Sequence, residues 1–431
     1  MPVPGMSSAA RLALTIDNFR HIRRAYGEQV AQAVFGDLRR LLTDLFHADA
    51  VVTFDASGTI DLIVTNSDAL GGGSLAEACR TWLDEFLSAV PLLPFKTVAG
   101  VVHLWMSGHW SISDGAGRDG ALAPIETGIV DLDFSGEPPD DRPEWADRYR
   151  RDMAIVAEML PVILSERASA GQMGCLSLAW QAVCDACDPA ATVYHETLLR
   201  LVDPQGNTQS PSLLFPALER LGFVRPVDHR VVSQVIEELA TSPDIVLSVN
   251  ISAHSVRCDR WWTDIQSRLK SAPDVARRLV LEITETAAIP NMSQAVRFIG
   301  AMRRLGCRIA LDDFGTGHSS IRQLMAFAPD FVKIDRFFVR RIATSEADRA
   351  LLIHLISLAR CLGATVVVEG IETPEQARIV LEAGARWQQG YHWGRPALLR
   401  PWRSGGLARG WPPEAPPVHQ MQPLQCSTGG A

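Results

Sequence analysis

The chain has 431 residues, 47% of them apolar and 21% charged, with a net charge of −8. That length allows two or three domains, and the balance of apolar to charged residues is that of a globular protein. The acidic charge argues against a broad nucleic-acid or anionic-membrane surface, which needs a basic face; a small anionic ligand held by local basic groups and metals remains open.

The eight cysteines are dispersed apart from Cys184 and Cys187. A zinc site needs a second pair at matching spacing, which the sequence lacks, so free thiols in a reducing compartment are expected. The first residues lack a cationic start followed by a long apolar run, and no uncharged apolar stretch reaches about 18 residues. These features predict a cytoplasmic protein with no membrane span.

In chain order, Arg11 to Phe19 reads as a strand ending at Asp17. Glu28 to Phe46 carries apolar residues at helical steps of three and four. VVTFD and IDLIVTN read as a hairpin around Ala56-Ser57-Gly58. Glycines 71 to 73 then lead into a second helix over 74–89, and Lys96 to Met106 reads as a closing strand. This order predicts a small α+β domain over residues 1–135. It resembles the GGDEF domain of diguanylate cyclases, on Ile16-Asp17, Phe19 and Tyr26-Gly27. At the hairpin tip, Ala56-Ser57-Gly58-Thr59-Ile60 stands where that family has Gly-Gly-Asp/Glu-Glu-Phe, and the feedback motif Arg-x-x-Asp is missing. Cyclisation needs carboxylates for metal and glycines for phosphate approach, and Asp17 alone does not supply them. The resemblance therefore implies a degenerate, non-catalytic domain with a dimerisation or regulatory role.

Residues 136–172 form the joint. GEPPDDRP is a Pro- and Asp-rich break. Trp145 to Glu166 reads as an amphipathic connector helix, with Met153, Val156, Ala157, Leu160 and Ile163 on one side and Arg148, Arg150 and Arg151 on a solvated one.

From residue 173 to 400 eight apolar strand candidates alternate with helical patterns: CLSLAWQAV, TVYHETLLRLV, IVLSVNIS, LVLEITE, RIALDDF, FVKID, ATVVVEG and RWQQGYHWG. The rhythm predicts an α/β fold with a C-terminal (β/α)8 TIM-like barrel, irregular at its start because of a long helical insert between the second and third strands. Polar residues sit at the strand ends: Glu196, Asn250, Glu282, Asp312 with Asp313, Lys333, Glu369 and Gln389. From Asn250 onward they recur at 32, 30, 21, 36 and 20 residues, one per strand. In a barrel the carboxyl ends of the strands share one face, where active sites sit.

The most informative stretch is IALDDFGTGHSS. Taken alone, Asp312 and Asp313 are either a metal-binding pair or a solvated turn. Set among the other strand ends, the acids Glu196, Glu282, Asp312, Asp313 and Glu369 sum to −5 and Lys333 returns +1. Two divalent cations offset the remainder, which is the charge logic of two-metal phosphodiester hydrolysis.

The same residues resemble the EAL domain, the phosphodiesterase that linearises cyclic di-GMP. The naming motif stands here as Glu196-Thr197-Leu198-Leu199-Arg200, with Gln181 on the preceding strand. Ser248-Val249-Asn250-Ile251-Ser252, Glu282-Ile283-Thr284-Glu285, Asp312 to Gly317 with Ser319-Ser320, Lys333-Ile334-Asp335, Glu369 to Thr373 and Gln389-Gly390-Tyr391 match the family's further motifs. The resemblance implies Glu196, Asn250, Glu282, Asp312, Asp313 and Glu369 as ligands of two Mg²⁺ or Mn²⁺ ions. It implies Glu369 as general base and Lys333 as the group that orients or helps deprotonate the attacking water. Arg200 is implied as a phosphate contact, Gln181, Glu372 and Gln389 as substrate or supporting groups, and Glu285 as anchor of the loop after Asp313. Thr197, Leu201 and His318 depart from the family pattern without removing a ligand, and His318 reads as a loop-surface or packing residue. The implied function is hydrolysis of cyclic di-GMP to pGpG by a cyclic-guanylate-specific phosphodiesterase, a homodimer through the EAL domain, with a regulatory protein partner possible and no DNA. The alternatives are a catalytically weak cyclic di-GMP receptor and a protein-interaction regulator. Residues 401–431, rich in Pro, Gly and Gln, read as a flexible tail.

Overall fold

The computed structural model describes residues 9–46, 50–55, 58–64, 70–71, 74–114, 118–119, 143–164, 175–188, 190–202, 208–209, 211, 214–284, 289–316 and 321–403. The chain divides into two compact units that interleave in sequence: residues 1–177, 200–230 and 257–265 form one, and 178–199, 231–256 and 266–431 the other. Among the described residues no helix is long and apolar enough to cross a membrane.

In the first unit the chain runs β1 (Ala9–Ile16), α1 (Phe19–Tyr26), α2 (Glu28–Phe46), β2 (Ala50–Phe54), β3 (Thr59–Val64), α3 (Leu75–Ala89), β4 (Phe95–Thr97), β5 (Gly100–Val102), β6 (Met106–Asp114), β7 (Arg118–Asp119) and α4 (Pro143–Leu164). Five strands make an antiparallel sheet in the order β2-β3-β1-β6-β7. Strand alternation puts Ala10, Leu12 and Leu14 into the core and leaves Arg11 on the other face, paired to Asp61 at 3.0 Å. Ser74 caps α3 by accepting from the Glu77 N–H, as its position before an apolar run predicts.

Two expectations change here. The closing strand is Met106–Asp114, not Lys96–Met106; the latter stretch folds into the separate β4-β5 hairpin, turned at Val98-Ala99, with Gly100 at φ 115° opening β5. A short helix, α1, also precedes the long one, with Gly27 at φ 90° separating them. The connector helix α4 lies in this unit, with Met153, Val156, Leu160 and Ile163 buried. Its Asp152 accepts two hydrogen bonds, at 2.7 and 2.8 Å, from Arg220 of α5 (Leu214–Leu221).

The barrel strands are β8 (Cys175–Asp185), β9 (Thr192–Val202), β11 (Leu247–Ile251), β12 (Leu279–Ile283), β13 (Arg308–Phe314), β14 (Phe331–Ile334), β15 (Thr365–Val368) and β16 (Trp387–Gln388); a two-residue β10 (Thr208–Gln209) adds to the edge of β9. Helices α6 (Val224–Thr241), α7 (Arg260–Ser271), α8 (Pro273–Ala276), α9 (Met292–Leu305), α10 (Ile321–Phe327), α11 (Glu346–Cys361) and α12 (Pro374–Glu382) fall between them. The strand order β9-β11-β12-β13-β14-β15-β16-β8 closes through pairing of β8 with β9. All eight expected strands form. However, β16 pairs antiparallel with β8, while β9 and β11 to β16 run parallel. The expectation of eight strands all presenting their carboxyl ends to one face is corrected for β8, which enters from the opposite end and reaches β9 with no helix between.

The barrel interior is layered. Val183, Tyr194, Val280, Ala310, Phe331 and Val367 form one buried apolar cluster, with Trp387 packed against it. Each of Glu196, Glu282, Asp312, Lys333, Glu369 and Gln389 follows one of these by two residues, so period-two alternation stacks it on the next layer toward the carboxyl ends. In β8 the direction is reversed: Gln181 precedes Val183 by two and reaches the same level.

Candidate active site

The polar layer is organised around Lys333 Nζ. It lies 3.1 Å from Glu196, 2.7 Å from Glu282, 3.2 Å from Asp312 and 2.6 Å from Glu369. Its side chain is 0% exposed. A fully buried ammonium is tolerated only when well paired, and here strands β9, β12, β13 and β15 each supply a carboxylate to the lysine of β14. Burial alone would lower the Lys333 pKa, but Asp312, Glu196, Glu282 and Glu369 together hold it well above the ordinary lysine range.

The acids are not equivalent. Burial raises Glu196, yet Lys333 and the hydrogen bonds from Gln389 (2.6 Å) and Asn250 (2.7 Å) outweigh it and hold the carboxyl below its usual range. Glu282 lacks those amide donors; burial pushes it up to about 8. Burial also raises Asp312, and Glu369 well above the usual range, with neighbouring acids adding to both. Asp313 is pushed up to about 7 by burial and by Asp312 beside it.

Neighbouring residues on a regular strand point to opposite faces, so Asp312 and Asp313 need a local break to act together. The pairing of β13 with β14 shifts register between Leu311 and Phe314, and Asp313 takes a left-handed φ of 54°. This β-bulge, a device that re-aims side chains, groups Asp313 with Asp312 and Glu369.

Among the described residues, two acid groups have ligand oxygens within 4.8 Å of one another: Glu196 with Glu282 and Asp312, and Asp312 with Asp313 and Glu369. Asp312 belongs to both. All donors are hard oxygens, suited to Mg²⁺ or Mn²⁺. Glu282 Oε1 and Asn250 Oδ1 are buried without a hydrogen-bond partner, and a cation at the acid groups would satisfy them. The residues present thus fit the expected ions.

Gln181 and Gln389 join the cluster: Gln389 Nε2 also lies 3.2 Å from Gln181 Oε1, and Gln181 donates to the Gly394 carbonyl at 2.9 Å. Arg200 is half-buried on β9, beyond Glu196. Glu372 is exposed on the turn before α12, where its backbone N–H donates to Gln376; its side chain does not join the Lys333 cluster. Glu285, His318 and residues 404–431 of the tail lie outside the described residues, whereas Pro401–Arg403 form a short 3-10 turn whose Trp402 packs against Trp180 and His195. Cys184 and Cys187 are free thiols. In the first unit Asp17 accepts from Ser107 at 2.7 Å and burial raises it to about 6; among the described residues it belongs to no acid group of metal-ligating geometry.

One residue of the site was not anticipated. Tyr194 is fully buried, and its hydroxyl has no hydrogen-bond partner among the described residues. Burial raises its pKa well above the phenol range, and the charges of Glu282, Lys333, Glu196 and Asp312 all act on it. It precedes Glu196 by two residues, so strand alternation could have placed it.

The EAL domain model matches residues 165–396. The chain is 32% identical over 211 residues to cyclic di-GMP phosphodiesterase PdeF of Escherichia coli K12, covering 48% of this chain and 28% of that protein. It is 29% identical over 206 residues to the cyclic di-GMP phosphodiesterase PdeL of the same organism, covering 47% and 57%. It thus spans less than two thirds of either relative. The solved EAL enzyme Bd1971, in its cAMP and cyclic-di-GMP bound form, shares the fold with a TM-score of 0.51 at 23% identity, over 64% of this chain and 78% of that one. With more than half of its length matched by the EAL domain model, this chain belongs to the EAL domain family.

Proposed function

We propose that this chain hydrolyses cyclic di-GMP to the linear dinucleotide pGpG as a two-metal phosphodiesterase of bacterial second-messenger signalling. The observation that carries the reading is the position of Asp312, the carboxylate common to both oxygen-ligand groups. The names of PdeF and PdeL support the substrate. Glu196, Asn250, Glu282, Asp312, Asp313 and Glu369 would hold two Mg²⁺ or Mn²⁺ ions. When bound, the ions supply Lewis-acid stabilisation of the attacking and leaving oxygens of the phosphodiester.

The remaining work belongs to the chain's own side chains. Glu369 accepts the proton of the attacking water; the burial that raises its pKa makes its carboxylate a stronger base. Lys333, 2.6 Å from Glu369, orients that water. Arg200 grips a substrate phosphate, for which a guanidinium offers paired donors. Gln389 and Gln181 hold Glu196 in place, and Glu372 helps to position substrate. The strand–helix–hairpin–helix–strand order of the first unit supports reading it as a degenerate GGDEF-like domain with a regulatory role.

The test is direct. The protein is incubated with cyclic di-GMP and Mg²⁺ or Mn²⁺, and pGpG is followed by ion-exchange chromatography. Turnover that disappears in Glu196→Ala supports the assignment. Tight binding without turnover would leave a receptor, and absence of binding would leave an interaction module.

A further inference from the structure

We propose that the Lys333 ammonium is an internal competitor of the divalent ions, so that loading the site with metal requires Lys333 to give up carboxylate contacts. The inference rests on the two-metal reading and concerns what sets the affinity of that site.

Lys333 touches every member of the Glu196–Glu282–Asp312 group, and two of the three members of the Asp312–Asp313–Glu369 group. Either group therefore accepts a cation only on carboxylates that Lys333 already engages, through Glu196 Oε2, Glu282 Oε2, Asp312 Oδ1 and Glu369 Oε1. The contacts are short, at 2.6 to 3.2 Å, and a Mg²⁺ ion approaches its oxygens to about 2.1 Å. An ammonium and a divalent ion on the same carboxylates bring two cations close together in a buried site, where screening is weak.

The competition is local. Five carboxylates, one lysine and two divalent ions sum to zero, so Lys333 is compatible with a loaded site once it yields part of its hold on the shared carboxylates. The lysine has little room to leave as a whole, since it is fully buried and flanked by Val332 and Ile334, both 0% exposed. Only its terminal ammonium can shift. The energetic consequence is that metal binding carries the cost of that shift, which lowers the apparent affinity as any competing arrangement does. The site would then fill over a higher range of divalent-ion concentration than its acids alone would set.

The experiment measures Mn²⁺ binding by isothermal titration and by electron paramagnetic resonance of free Mn²⁺, on wild-type protein and on Lys333→Met, an unbranched side chain one atom shorter and without the charge. At about pH 8, where the acids compete less for protons, the variant should bind Mn²⁺ about tenfold or more tightly than wild type, although its turnover is lost. Unchanged or weaker binding would overturn the proposal and show that Lys333 instead holds the acids in a receptive arrangement. No Mn²⁺ binding by wild type at millimolar concentration would defeat the two-metal reading itself. A second measurement covers failure of the variant to fold. In wild-type protein labelled at lysine Nζ, Mg²⁺ should shift the Lys333 ammonium resonance and speed its hydrogen exchange; an unmoved signal under saturating Mg²⁺ counts against the competition.

Discussion

Gln389 Nε2 donates to Glu196 Oε2 at 2.6 Å, reaching from the end of β16 to β9 across the antiparallel strand β8 that lies between them in the barrel. The same amide lies 3.2 Å from Gln181 Oε1 on β8. This bond spans the seam where the barrel closes, and it fixes the one acid touching Lys333 whose pKa is held below its usual range. Partners of this kind typically contribute 10- to 100-fold to metal affinity. Gln389→Ala should therefore weaken Mn²⁺ binding about 10- to 100-fold and lower kcat/KM while leaving the far-ultraviolet circular dichroism unchanged. Gln389→Glu should be more damaging, because it sets a second carboxylate against Glu196. Equal metal affinity in wild type and Gln389→Ala would show that the bond is incidental.

Gly390 follows directly. Its backbone is wrapped by Ile371: the Ile371 N–H donates to the Gln389 carbonyl at 3.0 Å, and the His392 N–H donates to the Ile371 carbonyl at 2.9 Å. A Cβ at Gly390 would sit 2.2 Å from the Ile371 oxygen and 2.3 Å from its nitrogen. Those atoms are backbone and cannot swing aside. Gly390→Ala should cost several kcal/mol, on the order of 3 or more, read as a lower urea midpoint. It should also lower metal affinity, since the displaced segment carries Gln389. Gly363→Ala is the control: it too removes a left-handed glycine (φ 81°), but its Cβ would meet open space and it lies away from the site. It should cost only about 1 kcal/mol and leave metal binding intact.

The eight barrel strands were legible because buried parallel strands read as short apolar runs, and the site because each run ends in one polar residue. The direction of β8 was not read, although the signal was present. Only six residues separate Asp185 from Thr192, whereas a parallel connection needs about a dozen or more; an apolar pattern alone carries no direction. The bulge at Asp313 had no local signal, since a register shift depends on the partner strand. The misplaced closing strand of the first unit has a different cause. KTVAGVV has strand composition throughout, and only Gly100, just after the turn at Val98-Ala99, hints at the break that splits it.

The shared position of Asp312 makes stoichiometry a test of the acid groups. Asp312→Asn removes charge from both groups and should abolish binding of both ions. Glu282→Gln touches only the Glu196–Glu282–Asp312 group and Asp313→Asn only the other, so each should retain one ion of the two. Direct metal analysis after gel filtration distinguishes these outcomes, and EDTA treatment of wild type should abolish turnover, with recovery on adding Mg²⁺ or Mn²⁺. Two ions bound to Asp312→Asn would refute the shared-ligand arrangement.

The first unit carries its own pH dependence. His21 is 7% exposed and packs against Trp145 and Tyr149 of α4, with ring centroids 5.5 and 6.0 Å away. Burial, and then the charge of Arg24, lower its pKa from 6.5 to about 4. The unfolded chain therefore takes up a proton on His21 below about pH 6.5 while the folded one does not until about pH 4. Stability contributed by the neutral imidazole is complete above pH 6.5 and falls as the pH drops through that window, by up to about 3 kcal/mol. Asp17 acts in the opposite sense. Burial raises its pKa from 3.8 to about 6, so the folded form binds the extra proton and stability rises as the pH falls from 6 toward 4. His21→Phe should remove the acid-side loss and make the unit more resistant below pH 6, whereas Asp17→Asn, uncharged at every pH, should remove the opposing pH dependence by stabilising the unit above pH 6 and leaving it near wild type toward pH 4. Hydrogen-exchange protection of α1 and α4, compared at pH-corrected intrinsic rates, reads both. Parallel pH profiles for wild type and His21→Phe would mean that His21 is not held neutral against α4.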